Sequence, residues 1–293
     1  MRRAALLLLA LAAAGTVAAG EATVLTAGDV VALPRPTADR RLAYGSDPLQ
    51  FGELRLPAGP GPHPVAVVIH GGCWLAEYDL GYMSALAAAL AEAGVATWSI
   101  EYRRIGDPGG GWPGTFTDVA AAADHLRGLA ADHHLDLGRV VAVGHSAGGH
   151  LALWLAARHG LAADDPLRGP SPLPLAGVVA LAGIPDLAAF AAPGGCGAAV
   201  APLLGGEPAG VSERLHRASP IERLPLGLPQ VLVVGGLDTI VPAGQAERYA
   251  AAAAAAGESV RVLPIPAAGH FELVVPGSVA WPSVRDAVLE LAR

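Results

Sequence analysis

Residues 140–154, VVAVGHSAGGHLALW, limit the possible folds of this chain more than any other stretch. A β-branched apolar run breaks at Gly144, a serine stands at the break, small residues follow, and a helix-like apolar pattern continues beyond. The pattern reads as a strand, a tight turn and a helix, with Ser146 at the apex. Turning from strand to helix within a few residues forces the apex into a strained backbone conformation, and only small neighbours let the two arms pass closely. Gly144 and Gly148 supply that room. The turn lifts the Ser146 hydroxyl clear of the sheet edge. It also leaves the backbone N–H of Ala147 at a helix N-terminus, where partial positive charge favours an oxyanion. A nucleophile and half of an oxyanion hole thus lie in one short segment. A serine in an ordinary glycine-rich turn could share the five-residue pattern, but not its placement between a clean strand and a clean helix.

The second informative segment is residues 70–74, His-Gly-Gly-Cys-Trp, which follows the short apolar run 65–69. Such a run fits a buried strand. Glycines directly behind it let the backbone bring N–H groups next to a bound carbonyl oxygen. His70 would then brace the loop by hydrogen bonding, with Gly71 and Trp74 shaping it. From here the chain alternates. Helices are expected at 82–93, 116–131, 147–159, 242–256 and 278–292, and strands at 95–100, 139–143, 177–181, 230–234 and 259–264. The alternation implies an α/β fold with a mainly parallel sheet and helices on both faces. Sites in such sheets lie at the carboxyl ends of the strands, so His70, Ser146, Asp186, Asp238 and His270 should gather at one edge.

A serine nucleophile needs a general base, and the base needs an orienting acid. His270, in AAGHFE, is the sole histidine downstream of Asp238 and sits in a loop behind a strand. Asp238 follows a strand and precedes a helix; Asp186 also follows a strand and is its rival. Asp238 is preferred because its strand is the last but one, with the histidine loop after the next. His145 and His150 flank the elbow and are expected to shape the site without taking protons. Glu101, in Glu-Tyr-Arg-Arg, is expected to pack and form salt bridges. His133 and His134 lie between Asp132 and Asp136, but no tetrahedral ligand set stands out, so no metal or organic cofactor is expected.

Two stretches break the alternation, 161–175 and 186–228. The second is rich in Pro and Gly, and inserts of that length inside a compact domain serve as lids or binding loops when ordered. It reads as a cap. At the other end, residues 1–20 carry Arg2 and Arg3, an apolar run and small residues, the layout of a secretory signal peptide. Residues 21–293 then form one domain of an exported, periplasmic or secreted protein, with no stable membrane insertion after leader removal. Formal charge is −7 for the whole chain and −9 without the two leader arginines, so nucleic acid is not an expected partner. The two cysteines, Cys73 and Cys196, permit one disulfide in an oxidising compartment.

With His70-Gly71-Gly72-Cys73-Trp74, Gly144-His145-Ser146-Ala147-Gly148-Gly149, Asp238 and Gly269-His270-Phe271 in this order, the chain resembles α/β-hydrolases. More narrowly, it is similar to the esterase branch that holds hormone-sensitive-lipase-like esterases, kynurenine formamidases and feruloyl-esterase-like proteins. The likeness spans about residue 57 to the C-terminus. By the family pattern, the oxyanion donors would be the backbone N–H groups of Gly72, Cys73 and Ala147. Cys73 stands where lipase-like members carry a third glycine; a backbone N–H still donates there, and His-Gly-Gly-x-Trp is closer to the formamidase and feruloyl-esterase-like members. The resemblance implies a serine hydrolase acting on a small-molecule ester, or an aryl formamide or peptide on the same fold. The reading from another class is a catalytically silent hydrolase-fold binding protein, against which the intact Ser, His and acid stand.

Overall fold

Four adjacent strands set the frame because their central residues are buried on both faces and must be covered from both sides. In the computed structural model, which describes residues 24–293, these are β3 (His63–Ile69), β4 (Ala96–Ile100), β5 (Leu135–His145) and β6 (Gly177–Leu181). The leader read at 1–20 lies outside the described residues. Two further parallel strands, β7 (Gln230–Gly235) and β8 (Arg261–Ile265), extend one side. On the other side the hairpin β1 (Arg40–Ala43) and β2 (Phe51–Arg55) adds antiparallel strands. The spatial order is β1-β2-β4-β3-β5-β6-β7-β8, parallel from β4 to β8. This is the mainly parallel sheet expected from the alternation.

Helices α2 (Ser84–Glu92), α3 (Gly114–Leu129), α4 (Ala147–Ala157), α8 (Gly244–Ala255) and α9 (Trp281–Leu291) fall where the sequence places them, to within a few residues. A short helix, α1 (Ala27–Val31), precedes the hairpin. The 186–228 stretch folds into short turns of helix, among them α5 (Leu187–Phe190), α6 (Val200–Leu204) and α7 (Ser212–Ala218). Helix α4 is buried along its whole length, so Trp154 and its neighbours form core on every side of it.

What matters for the site is the register at the carboxyl edge. β3 and β5 are neighbours, with Ile69 paired to Gly144. The loop after β3 and the elbow after β5 therefore emerge side by side, while the loops after β7 and β8 come from two strands further along the same edge.

Candidate active site

Ser146 has φ 55° and ψ −119°, the strained apex expected of a strand-to-helix elbow. Its N–H donates to the Leu181 carbonyl at 2.8 Å, so β6 holds the turn from the side. A Cβ at Gly144 would stand 2.0 Å from the Gly148 carbonyl oxygen, and one at Gly148 would stand 2.1 Å from the Ile69 carbonyl oxygen. Both positions admit only glycine, for the reason read from the sequence.

The loop after β3 is strained in the same way: Gly72, Cys73 and Trp74 have φ of 94°, 52° and 59°. Three ties hold it. The Gly71 N–H donates to Tyr82 Oη at 2.6 Å, and a Cβ at Gly71 would lie 2.5 Å from the His145 carbonyl oxygen, so the loop rests on the elbow. The Trp74 indole N–H donates to His150 Nδ1 at 3.1 Å, and His150 Nε2–H donates to the Ala218 carbonyl at 2.9 Å. His70 Nε2 bonds Glu101 Oε1 at 2.9 Å, as a brace should. Among the described residues, the N–H groups of Gly72 and Cys73 have no protein acceptor. The Ala147 N–H belongs to the first turn of α4, where no intrahelical acceptor exists.

Glu101 carries more than the salt bridge foreseen for it. Besides His70 it pairs with Arg104 at 3.1 Å and accepts from the Leu80 N–H at 3.0 Å. Burial pushes its carboxyl up, but His70, Arg104 and the Leu80 N–H together outweigh burial and hold it below the usual carboxylate range. The loop is thus anchored to a buried charge.

His270 Nδ1–H donates to Asp238 Oδ2 at 2.6 Å. The other Asp238 oxygen accepts from the N–H groups of Ile240 and Val241 at 2.8 and 2.9 Å, which fixes the carboxylate in place. Asp186, the rival acid, is engaged elsewhere. It caps α5 through the Ala189 N–H at 3.0 Å and pairs with Arg248 at 3.4 Å. His270 and Ser146 line one pocket of about 440 Å³, without a hydrogen bond joining them among the described residues.

Tyr82 joins the two halves of the site. It accepts from Gly71 and its hydroxyl lies 2.9 Å from His145 Nδ1, while His145 Nε2 lies 3.0 Å from the His270 carbonyl. A carbonyl can only accept, so Nε2 carries the proton and Tyr82 donates to Nδ1. Burial, reinforced by His270, pushes His145 well below its ordinary value, which keeps it neutral and this bond order intact. The chain of bonds runs from the glycine loop to the backbone of His270.

The cover of the pocket comes from two directions. Cys196, in the 186–228 stretch, lines it and is disulfide-bonded to Cys73. The second part is unforeseen: residues 24–27, 30 and 31, in and before α1, form a further part of the wall. Glu272, also missed, ties that segment down. Its carboxylate accepts from the Leu25 N–H at 2.5 Å and from the Gly269 N–H at 2.8 Å. A buried acid two residues behind His270 was the one available signal. Among the described residues no group of three or more His, Cys, Asp or Glu is placed to hold a metal ion, and no helix is long and apolar enough to cross a membrane.

A family model described as BD-FAE matches residues 54–252. The protein "Esterase LipC" of Mycobacterium tuberculosis is 30% identical over 270 residues, which cover 86% of this chain and 64% of that protein. The chain therefore spans a little under two thirds of that relative's length. Among solved structures, a truncated form of a carbohydrate esterase from gut microbiota superposes with a TM-score of 0.76 at 24% identity, over 88% of this chain and 97% of the other. A bacterial heroin esterase gives 0.71 at 24% identity, over 91% and 88%. At such identities the likeness is one of fold, and the fold is that of the α/β-hydrolases.

Proposed function

Because the chain belongs to the BD-FAE family and has the α/β-hydrolase fold, we propose that it is a serine hydrolase cleaving a carboxylic ester of a small acyl substrate. The observation that carries this reading is the His270–Asp238 hydrogen bond at 2.6 Å on the wall of the pocket that Ser146 also lines. Relatives and structural neighbours named as esterases support the reaction class.

In this mechanism His270 Nε2 takes the Ser146 proton as the oxygen attacks the ester carbonyl. Asp238 holds the imidazole through Nδ1 and stabilises its charged form. The tetrahedral oxyanion sits among the N–H groups of Gly72, Cys73 and Ala147, where loss of one donor raises the barrier by about 3 kcal/mol. His270 returns the proton to the leaving alcohol, and water then resolves the acyl-enzyme by the same steps in reverse. We also read the 186–228 stretch as a cap and the protein as exported; the Cys73–Cys196 disulfide supports an oxidising compartment.

The test is hydrolysis of short to long acyl nitrophenyl esters, a feruloyl ester and an N-formyl arylamide by wild type and Ser146→Ala in parallel. Ester turnover that falls by about 10⁴-fold or more in the variant is expected. Preference for the formamide would move the reading to the aryl formamidases. No turnover by folded wild type would favour a peptide substrate or the silent binder.

A further inference from the structure

The wall formed by residues 24–31 has a chemistry of its own. Among the described residues, not one Asp, Glu, Lys or Arg lines the catalytic pocket. A separate pocket of about 410 Å³, lined in part by Arg35, Arg41, Glu53 and Asp79, is highly charged by contrast. The catalytic pocket is also apolar at its rim. Of the five large hydrophobic residues exposed among the described residues, three line it: Val24 (37%), Val31 (47%) and Ile240 (37%). Val24 and Val31 belong to the N-terminal segment, and Ile240 stands on the Asp238 loop. Apolar groups left in water around a concave site gain free energy when a ligand covers them.

The segment is anchored in place. Thr26 and Asp29 form a capping box that holds the first turn of α1. The Glu272 carboxylate bridges Leu25 to Gly269, and a Cβ placed at Gly269 would stand 3.0 Å from Val24 Cβ. The wall is therefore fastened to the loop that presents His270, and its distance from the reacting carbonyl is fixed by that loop.

Resting on the ester-hydrolase reading above, we propose that residues 24–27, 30 and 31, together with Ile240 of the Asp238 loop, form the specificity-determining wall and bind an uncharged, apolar chain of the ester. The chain belongs to the acyl or to the alcohol side of the ester, and both present the same methylenes to Val24, Val31 and Ile240.

The experiment measures kcat/KM in two series, nitrophenyl esters from acetate to octanoate and alkyl acetates from ethyl to hexyl. The proteins are wild type, Val31→Asp, Ile240→Asp and, as a control outside the pocket, Val279→Asp. In one series wild type should gain up to about fourfold per added methylene until the pocket is full. Val31→Asp and Ile240→Asp should each lower the long-to-short ratio in that series by about tenfold or more, whereas Val279→Asp should not. The responding series identifies the side of the ester that carries the chain. Two variants on separate segments of the chain protect the test against one of them misfolding. If wild type hydrolyses esters but the ratio is flat in both series, or both Asp variants leave it unchanged, the wall assignment is overturned while the hydrolase reading stands. If folded wild type hydrolyses no ester at all, both fall.

Discussion

Ser146, the glycine loop, Asp238 and His270 each follow a parallel strand, whereas segment 24–31 and the 186–228 stretch reach the same pocket from outside the sheet, on short helical turns and the chain beside them. At the edge, position is set by strand register, as when Ile69 opposite Gly144 brings the loop against the elbow. In the cover, short helical turns are held by buried side chains such as Leu187 and Leu203 and by separate ties, among them the Glu272 carboxylate, the Cys73–Cys196 disulfide, and His150 between Trp74 and Ala218. A sheet edge fails only when the ladder fails. Each of these ties can be removed by substitution without touching the ladder that places Ser146, Asp238 and His270.

The largest effect expected is at the edge. Asp238→Asn keeps the shape but removes the acceptor that selects the His270 tautomer, and kcat should fall about 10⁴-fold. Asp186→Asn retains a capping side chain and should change kcat by no more than a few-fold, since Asp186 engages Ala189 and Arg248 instead. Equal losses in the two variants would erase the distinction between the acids. Steady-state kinetics, with circular dichroism to check folding, decides it.

The next effect lies in the cover. The disulfide closes a sequence separation of 123 residues, so Cys73→Ser with Cys196→Ser should lower unfolding free energy by about 2–5 kcal/mol in chemical denaturation. Stability equal to that of oxidised wild type would remove the disulfide from the ties holding the cover.

A smaller effect is acid release of another tie. Burial pushes His150 down to about 4, and it pushes His145 well below the ordinary histidine value. Both are lowered relative to the unfolded chain, so the unfolded state takes up protons first as pH falls. Their contribution is complete above about pH 6.5 and is lost below it; His150 alone loses about 3 kcal/mol by about pH 4. Stability should therefore fall between about pH 6.5 and 4, with a shallower slope in His150→Gln. Because His150 joins Trp74 to Ala218, limited proteolysis in that window should cut within 186–228 before it cuts the sheet. A pH-independent midpoint over that range would contradict the assignment.

The same contrast explains what could be read in advance. Strand runs ending in glycine are local, so residues 65–74 and 140–154 disclosed both the edge of the sheet and the loops on it. The choice between Asp238 and Asp186 was only half legible, since both follow strands and only side-chain partners separate them. Tyr82 reads as an ordinary residue at the start of a helix, and its role depends on Gly71 and His145, 11 and 63 positions away. The five residues AGDVV of α1 give too short a period to announce a helix, and the tie of the preceding Leu25 to Glu272 spans 247 positions. The edge strand Arg40–Ala43 was missed because it is mostly exposed and carries no buried run. The 186–228 stretch was legible as an insertion through its Pro and Gly content, and Cys73 as the sole possible partner of Cys196, but not the fold that brings the two together.

The most direct test of the central claim, that Ser146 is the nucleophile activated by His270 and Asp238, is labelling of the folded protein with a fluorophosphonate followed by peptide mass spectrometry. One adduct per chain on the peptide holding Ser146, with labelling strongly slowed in Asp238→Asn, is the predicted result. An adduct on another residue, or none in folded wild type, would contradict it.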